Sequence, residues 1–159
     1  MNTYQIDHIL SNNYMTQKYY DGIYSRDTLT NIKNTPKLIV CNTDPSFKAG
    51  QHWILFYFHN ETVDYFDSLG HKPDYYGSEF VAFMKRFAEK YNICYTRVQP
   101  FNTSLCGHYC IWFAYLRCQN YSMYEIINSL PEPSAIVHFV KNQLMKFKNL
   151  CKGQKCITY

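Results

Sequence analysis

The feature that most constrains the fold is a run of six apolar residues, Trp53 to Phe58 (WILFYF). A strand presents successive side chains to opposite faces. A run that is apolar at every position therefore predicts a central strand covered on both sides. Turn-forming His59-Asn60-Glu61 follows, then a second strand-like segment, Val63 to Ser68, so the two predict a β-hairpin. Neither this run nor any other in the chain is long enough to span a bilayer, so no membrane association is expected.

Around this hairpin the patterning is mixed. Thr3 to Asn12 reads as a short helix, 16–27 as a polar, Tyr-rich loop, and Lys37 to Cys41 as a short strand. Phe80, Met84, Phe87 and Tyr91 recur at helical spacing and predict an amphipathic helix over Ser78 to Tyr91. Ile93 to Val98 (ICYTRV) reads as another strand. Leu105 to Cys118 is apolar nearly all round, the pattern of a buried helix. Helices over Met123 to Ser129 and over Pro133 to Lys148 complete the chain. Strands and helices follow one another without regular βαβ alternation, which predicts an α+β fold with a central mixed sheet flanked by helices. With no repeats or Gly/Ser linkers, residues 1–159 are expected to form a single domain, acting as a monomer.

A hydrophobic fraction of 47% and an aromatic fraction of 18% exclude a disordered chain. The opening MNTYQIDHIL lacks the basic and apolar stretches of a secretory leader. The seven cysteines are an odd number set among helical and strand patterns, which fits a reduced, intracellular protein with at least one free thiol. The net charge of +4 is unevenly spread. From Pro133 onward there are Lys141, Lys146, Lys148, Lys152 and Lys155 and no acid, leaving a net −1 on the rest. That asymmetry fits an anionic partner such as double-stranded DNA, or a plain solvated face.

One constellation could do chemistry. A cysteine nucleophile must be a thiolate near neutral pH, which a helix N-terminus, a neighbouring imidazolium and partial exposure all favour. Cys106 stands at the start of the apolar helix, after Asn102, Thr103 and Ser104, any of which could cap it. Gly107 removes a side chain beside it, which would let a substrate backbone come close. The base must come from elsewhere and be held by a carboxylate. If Asn60-Glu61 is the two-residue turn, Asp67 stands opposite Ile54 and diagonally from His52, on one face of the sheet and about 7–8 Å away between backbones. A one-residue slip would put the two on opposite faces. Gln99, seven residues before Cys106, could pair its amide with the Cys106 backbone N–H to receive an oxyanion.

In their order, His52-Trp53, Asp67-Ser68-Leu69-Gly70 and Gln99-Pro100-Phe101-Asn102-Thr103-Ser104-Leu105-Cys106-Gly107-His108-Tyr109-Cys110 resemble the adenovirus maturation protease family (adenain). Asp21 to Arg26 is similar, more weakly, to that family's early Gly-x-Tyr stretch. More remotely, the set is similar to the SUMO-type ubiquitin-like-protein proteases of the same clan. The resemblance spans roughly Tyr19 to Leu144. It implies a cysteine peptidase with catalytic His52, Asp67, Gln99 and Cys106, needing no cofactor for its chemistry. It implies cleavage of precursor proteins after Gly-containing sequences, with Trp53 walling the slot beside the scissile bond and with stimulation by DNA and a viral peptide. A virus or a virus-like DNA transposon would be its source, and a virion or host nucleus its place. Asp67 departs from the Glu usual in the adenoviral branch and matches the SUMO-type branch.

Other readings stand beside this one. A SUMO- or ubiquitin-like-protein protease, or a non-catalytic module binding such tails or DNA, would use the same fold. Cys110 and Cys118 read as core side chains, and so does Cys94. Cys106-x-His108-x-Cys110 and Cys151 with Cys156 lack the C-x2-C pairing of structural zinc sites, so no metal is expected.

Overall fold

The computed structural model describes residues 1–29 and 31–153, with side chains to residue 146. Five strands form one sheet in the order β1-β2-β3-β4-β5. They are β1 Tyr20–Ser25, β2 Lys37–Asn42, β3 Trp53–His59, β4 Thr62–Phe66 and β5 Lys90–Ile93. The sheet is mixed: β1–β2 and β4–β5 pair parallel, β2–β3 and β3–β4 antiparallel. Helices α1 Thr3–Asn12, α2 Ser78–Phe87, α3 Cys106–Arg117, α4 Met123–Asn128 and α5 Pro133–Gly153 cover it. The architecture is the expected α+β class.

β3 is the middle strand, and its alternation divides the core. Trp53, Leu55 and Tyr57 pack with α1, α3 and α5, whereas Ile54, Phe56 and Phe58 pack with Phe80, Phe83 and Met84 of α2. Burying each such side chain stabilises the fold by about 1.5–3 kcal/mol before the cost of ordering it. The Phe66 and Phe113 rings stack at 4.3 Å and dock α3 onto β4. Among the described residues no helix is long and apolar enough to cross a membrane.

Three expectations need correction. The segment 16–27 is not all loop, because Tyr20–Ser25 is the edge strand β1. Its residues are half-exposed and its register shifts between Tyr20 and Gly22, so it carries no clean period of two. The helix expected to run to Tyr91 stops at Phe87, with Ala88 extended. The next strand is Lys90–Ile93, not Ile93 to Val98, because the Glu89 and Lys90 N–H groups both donate to the carbonyl of Glu61. That contact ties the segment to the hairpin turn, and tertiary pairing overrides the helical spacing of Tyr91.

Candidate active site

The hairpin turn sets the geometry of the site. Asn60 and Glu61 adopt φ of 43° and 62°, both left-handed, as a two-residue turn of the hairpin-favoured hand requires. His59 then pairs with Thr62 and Leu55 with Phe66. One step further out, Asp67 and His52 lie diagonally on the same face, and His52 Nε2 meets Asp67 Oδ1 at 2.6 Å. Both are buried.

The carboxylate is fully engaged. Oδ1 also accepts from the Leu69 N–H at 2.8 Å, while Oδ2 accepts from the Tyr76 hydroxyl at 2.8 Å and the His71 N–H at 3.2 Å. Burial pushes the Asp67 carboxyl upward, but its bond to His52, the His52 charge and these donors outweigh that and hold it below the usual range. Gly70 closes the loop at φ 74°, donating to the Asp67 carbonyl at 3.0 Å. A Cβ there would stand 2.8 Å from the Tyr95 carbonyl and the Arg97 nitrogen, so the turn admits only glycine.

Cys106 opens α3 at partial exposure. With Nε2 taken by Asp67, the other imidazole nitrogen of His52 is left to interact with Cys106, whose thiolate its charge stabilises. The Trp53 and Gly107 N–H groups also favour the charged form of that sulfur. Burial alone would raise the thiol pKa, but the His52 hydrogen bond and charge and the two backbone donors lower it below 9.0. Conversely, burial would lower His52, and its bonds to Asp67 and Cys106 raise it to about 9. Both shifts favour a thiolate–imidazolium pair near neutral pH. Cys94, Cys110 and Cys118 are buried and pushed up, Cys118 to about 12. The Cys94 thiol also donates to the Thr96 carbonyl.

None of Asn102, Thr103 and Ser104 caps α3; Leu105 occupies the cap position without a side-chain bond. The loop is committed elsewhere: Thr103 donates its hydroxyl to the Pro100 carbonyl, and its own carbonyl accepts from Gln99 Nε2 at 2.6 Å. The His108 N–H turns back to the Leu105 carbonyl at 2.8 Å, and no side chain caps the Cys106 and Gly107 N–H groups ahead of it. Gln99 is buried, with Oε1 accepting from Ser68 Oγ at 2.9 Å. Its orientation is thereby set, with one N–H of its amide committed to Thr103. That cleft, about 360 Å³, is lined by Cys106, His52 and Gln99 together with Thr43, His71 and Tyr76.

The structure thus brings His52, Asp67, Gln99 and Cys106 together. Gly107 differs from expectation. A Cβ there would meet Ile6 Cδ1 at 3.0 Å, Met1 Cβ at 3.2 Å and Trp53 Cδ1 at 3.4 Å. The missing side chain makes room for the N-terminal segment, not for a substrate. Trp53 is nearly buried, donates its indole N–H to the Met1 carbonyl at 3.3 Å, and borders a second, polar cleft of about 270 Å³ with Ser25 and Asn42. Ser68, His71 and Tyr76 were not singled out as functional from the sequence, which holds no periodic or spacing signal for them. Lys141 and Lys146 are exposed on α5; Lys148 and Lys152 lie along it, and Lys155 falls outside the described residues. Among the described residues no group of His, Cys, Asp or Glu is arranged to hold a metal.

No family model matches the sequence, and no curated protein matches it either. Among solved structures, the chain resembles the ASFV pS273R protease, with a TM-score of 0.50 and 23% identity over 65% of this chain and 42% of that one. The match spans less than half of that protease. At this identity the likeness is one of fold.

Proposed function

We propose that the chain is a cysteine endopeptidase acting through Cys106, His52, Asp67 and Gln99. What carries this reading is the His52 imidazole, held at 2.6 Å by a buried carboxylate and sharing one cleft with a thiol at an uncapped helix start, whose pKa it lowers. The likeness in fold to a solved protease supports it. The Cys106 thiolate attacks the scissile carbonyl carbon, and the oxyanion is received by the second Gln99 N–H and the Cys106 backbone N–H. The His52 imidazolium protonates the leaving amine as the C–N bond breaks, leaving a thioester. Neutral His52 then takes a proton from water, whose hydroxide attacks the thioester. The carboxylic product leaves and the thiolate returns. Asp67 keeps the imidazole oriented throughout.

The substrates we propose are precursor proteins with glycine just before the cut, approached past Trp53. Stimulation by duplex DNA along α5 and by a peptide, in a virion or nucleus, belongs to the same proposal and rests on the lysines and the resemblance. A ubiquitin-like-protein protease is the second reading, favoured by an Asp rather than a Glu at position 67. The test is cleavage of Gly-Gly reporter peptides and of a full-length SUMO-like precursor, each by the parent and by Cys106→Ser. Cleavage of short peptides, lost in Cys106→Ser, supports the endopeptidase. Processing of the precursor with poor peptide cleavage supports the second reading. Cleavage that survives Cys106→Ser overturns both.

A further inference from the structure

The loop between β4 and α2 brings a tyrosine against both the acid and the base. The Tyr76 hydroxyl donates to Asp67 Oδ2 at 2.8 Å, and its ring lies against the His52 imidazole with centroids 5.6 Å apart and planes 28° from parallel. A phenol has one proton to give. Since that proton goes to the carboxylate, the 2.8 Å contact between Tyr76 Oη and His71 Nδ1 must be an N–H donation from His71. A chain of hydrogen bonds therefore runs from His71 at the cleft wall through Tyr76 and Asp67 to His52, the base that shares the cleft with Cys106. Tyr76 is also anchored from behind, because the Arg26 guanidinium bonds its carbonyl and pairs with Glu79 at 3.5 Å. His71 is fixed in turn by stacking on Tyr75 at 4.1 Å.

We propose that Tyr76 is a positioning residue of the peptidase reaction, acting through Asp67 and His52, and that His71 sets the direction of its hydroxyl. This rests on the cysteine-peptidase reading. The carboxylate alone would let the imidazole swing about the Nε2–Oδ1 axis. The Tyr76 ring blocks that swing on one face, and its hydroxyl holds Oδ2 so that the carboxylate plane cannot turn. With His52 and the Leu69 N–H, the same donor helps keep Asp67 ionised, so that the proton shared with His52 stays on the imidazole while the thiolate is free to attack.

The test uses the full chain and two readouts: kcat and KM on a Gly-Gly reporter, and the rate at which iodoacetamide alkylates Cys106 as a function of pH. Tyr76→Phe keeps the ring and removes the hydroxyl. It should lower kcat roughly tenfold with little change in KM, as loss of an interaction made mainly in the transition state does. It should also move the alkylation midpoint upward. His71→Ala should give a smaller effect of the same kind. His71→Asn, whose amide nitrogen can replace Nδ1 as donor, should restore parental behaviour, a rescue that a merely structural role would not produce. Parental kcat and an unmoved alkylation midpoint in Tyr76→Phe would overturn the proposal, as would failure of His71→Asn to differ from His71→Ala. The peptidase reading fails separately, by cleavage that persists in Cys106→Ser. The alkylation arm needs no substrate and judges Tyr76 in either case.

Discussion

Asp67, one residue past the end of β4, reaches diagonally across the hairpin to hold the imidazole of His52 at 2.6 Å, and that buried contact orients the base toward Cys106. Its energetic role follows from which groups it raises and lowers. The carboxylate and the sulfur both favour the charged imidazole, against burial, and bring it to about 9. In the proposed mechanism the imidazolium protonates the leaving amine, so activity should hold through neutral pH and decline as pH rises through about 9. Asp67→Asn removes one support of that charge, so the alkaline limb should move to lower pH. We expect kcat to fall roughly ten- to a hundredfold in Asp67→Ala and about a thousandfold in His52→Ala. A pH–rate series on the three variants checks both magnitude and direction.

Gly70 should be as unforgiving structurally as Asp67 is chemically. At φ 74° with backbone atoms 2.8 Å from any added Cβ, Gly70→Ala combines left-handed strain with a clash that flexible side chains cannot relieve. We expect a loss of about 2 kcal/mol or more in urea unfolding, together with lower activity because the loop carrying Asp67 shifts.

These two residues mark what the sequence made legible and what it did not. Local rules sufficed for the hairpin: a two-residue turn and a period of two put Asp67 and His52 on one face, and the observed pairing of His59 with Thr62 agrees. The apolar run of α3 was equally plain. Harder features depend on residues far away in the chain. β1 is half-exposed and pairs only at the sheet edge. β5 begins where the backbone docks on Glu61, overriding helical spacing. The expected cap of α3 failed because Gln99 and Pro100 claim Thr103. Tyr76 and His71 belong to the site through contacts that no spacing rule encodes.

The proposed approach of substrate past Trp53 makes a prediction about specificity. A peptide series with Gly-Gly, Gly-Ala, Gly-Leu and Gly-Phe before the reporter should fall steeply in kcat/KM from Gly to Phe, each tenfold step being about 1.4 kcal/mol. On that proposal, discrimination would come from exclusion beside the indole. Gly107→Ala should leave that ranking unchanged, since its Cβ would press on Ile6 and Met1 and reach Trp53 only at ordinary contact distance, 3.4 Å. Its effect should be a stability loss of about 1 kcal/mol. Equal cleavage of the Gly and Phe members would refute the narrow slot.

The lysines of the C-terminal stretch make a separate prediction. If duplex DNA binds there, affinity should fall log-linearly with salt because phosphate neutralisation releases counterions. Changing Lys141, Lys146, Lys148, Lys152 and Lys155 to Gln should flatten that slope. A variant that binds with the parental slope would leave the charges as a solvated face.

The central claim, that His52 makes Cys106 the reactive thiol, is tested most directly by site-resolved alkylation. Protein and iodoacetamide are mixed at a series of pH values, and labelling of each cysteine is followed by peptide mass spectrometry in the parent and in His52→Ala. Cys106 should label first of the seven, with a midpoint below the ordinary thiol value of 9.0. In His52→Ala burial is left to dominate, and the midpoint should rise above that value. Faster labelling of Cys94 or Cys151 at neutral pH, or a Cys106 midpoint indifferent to the loss of His52, would contradict the account.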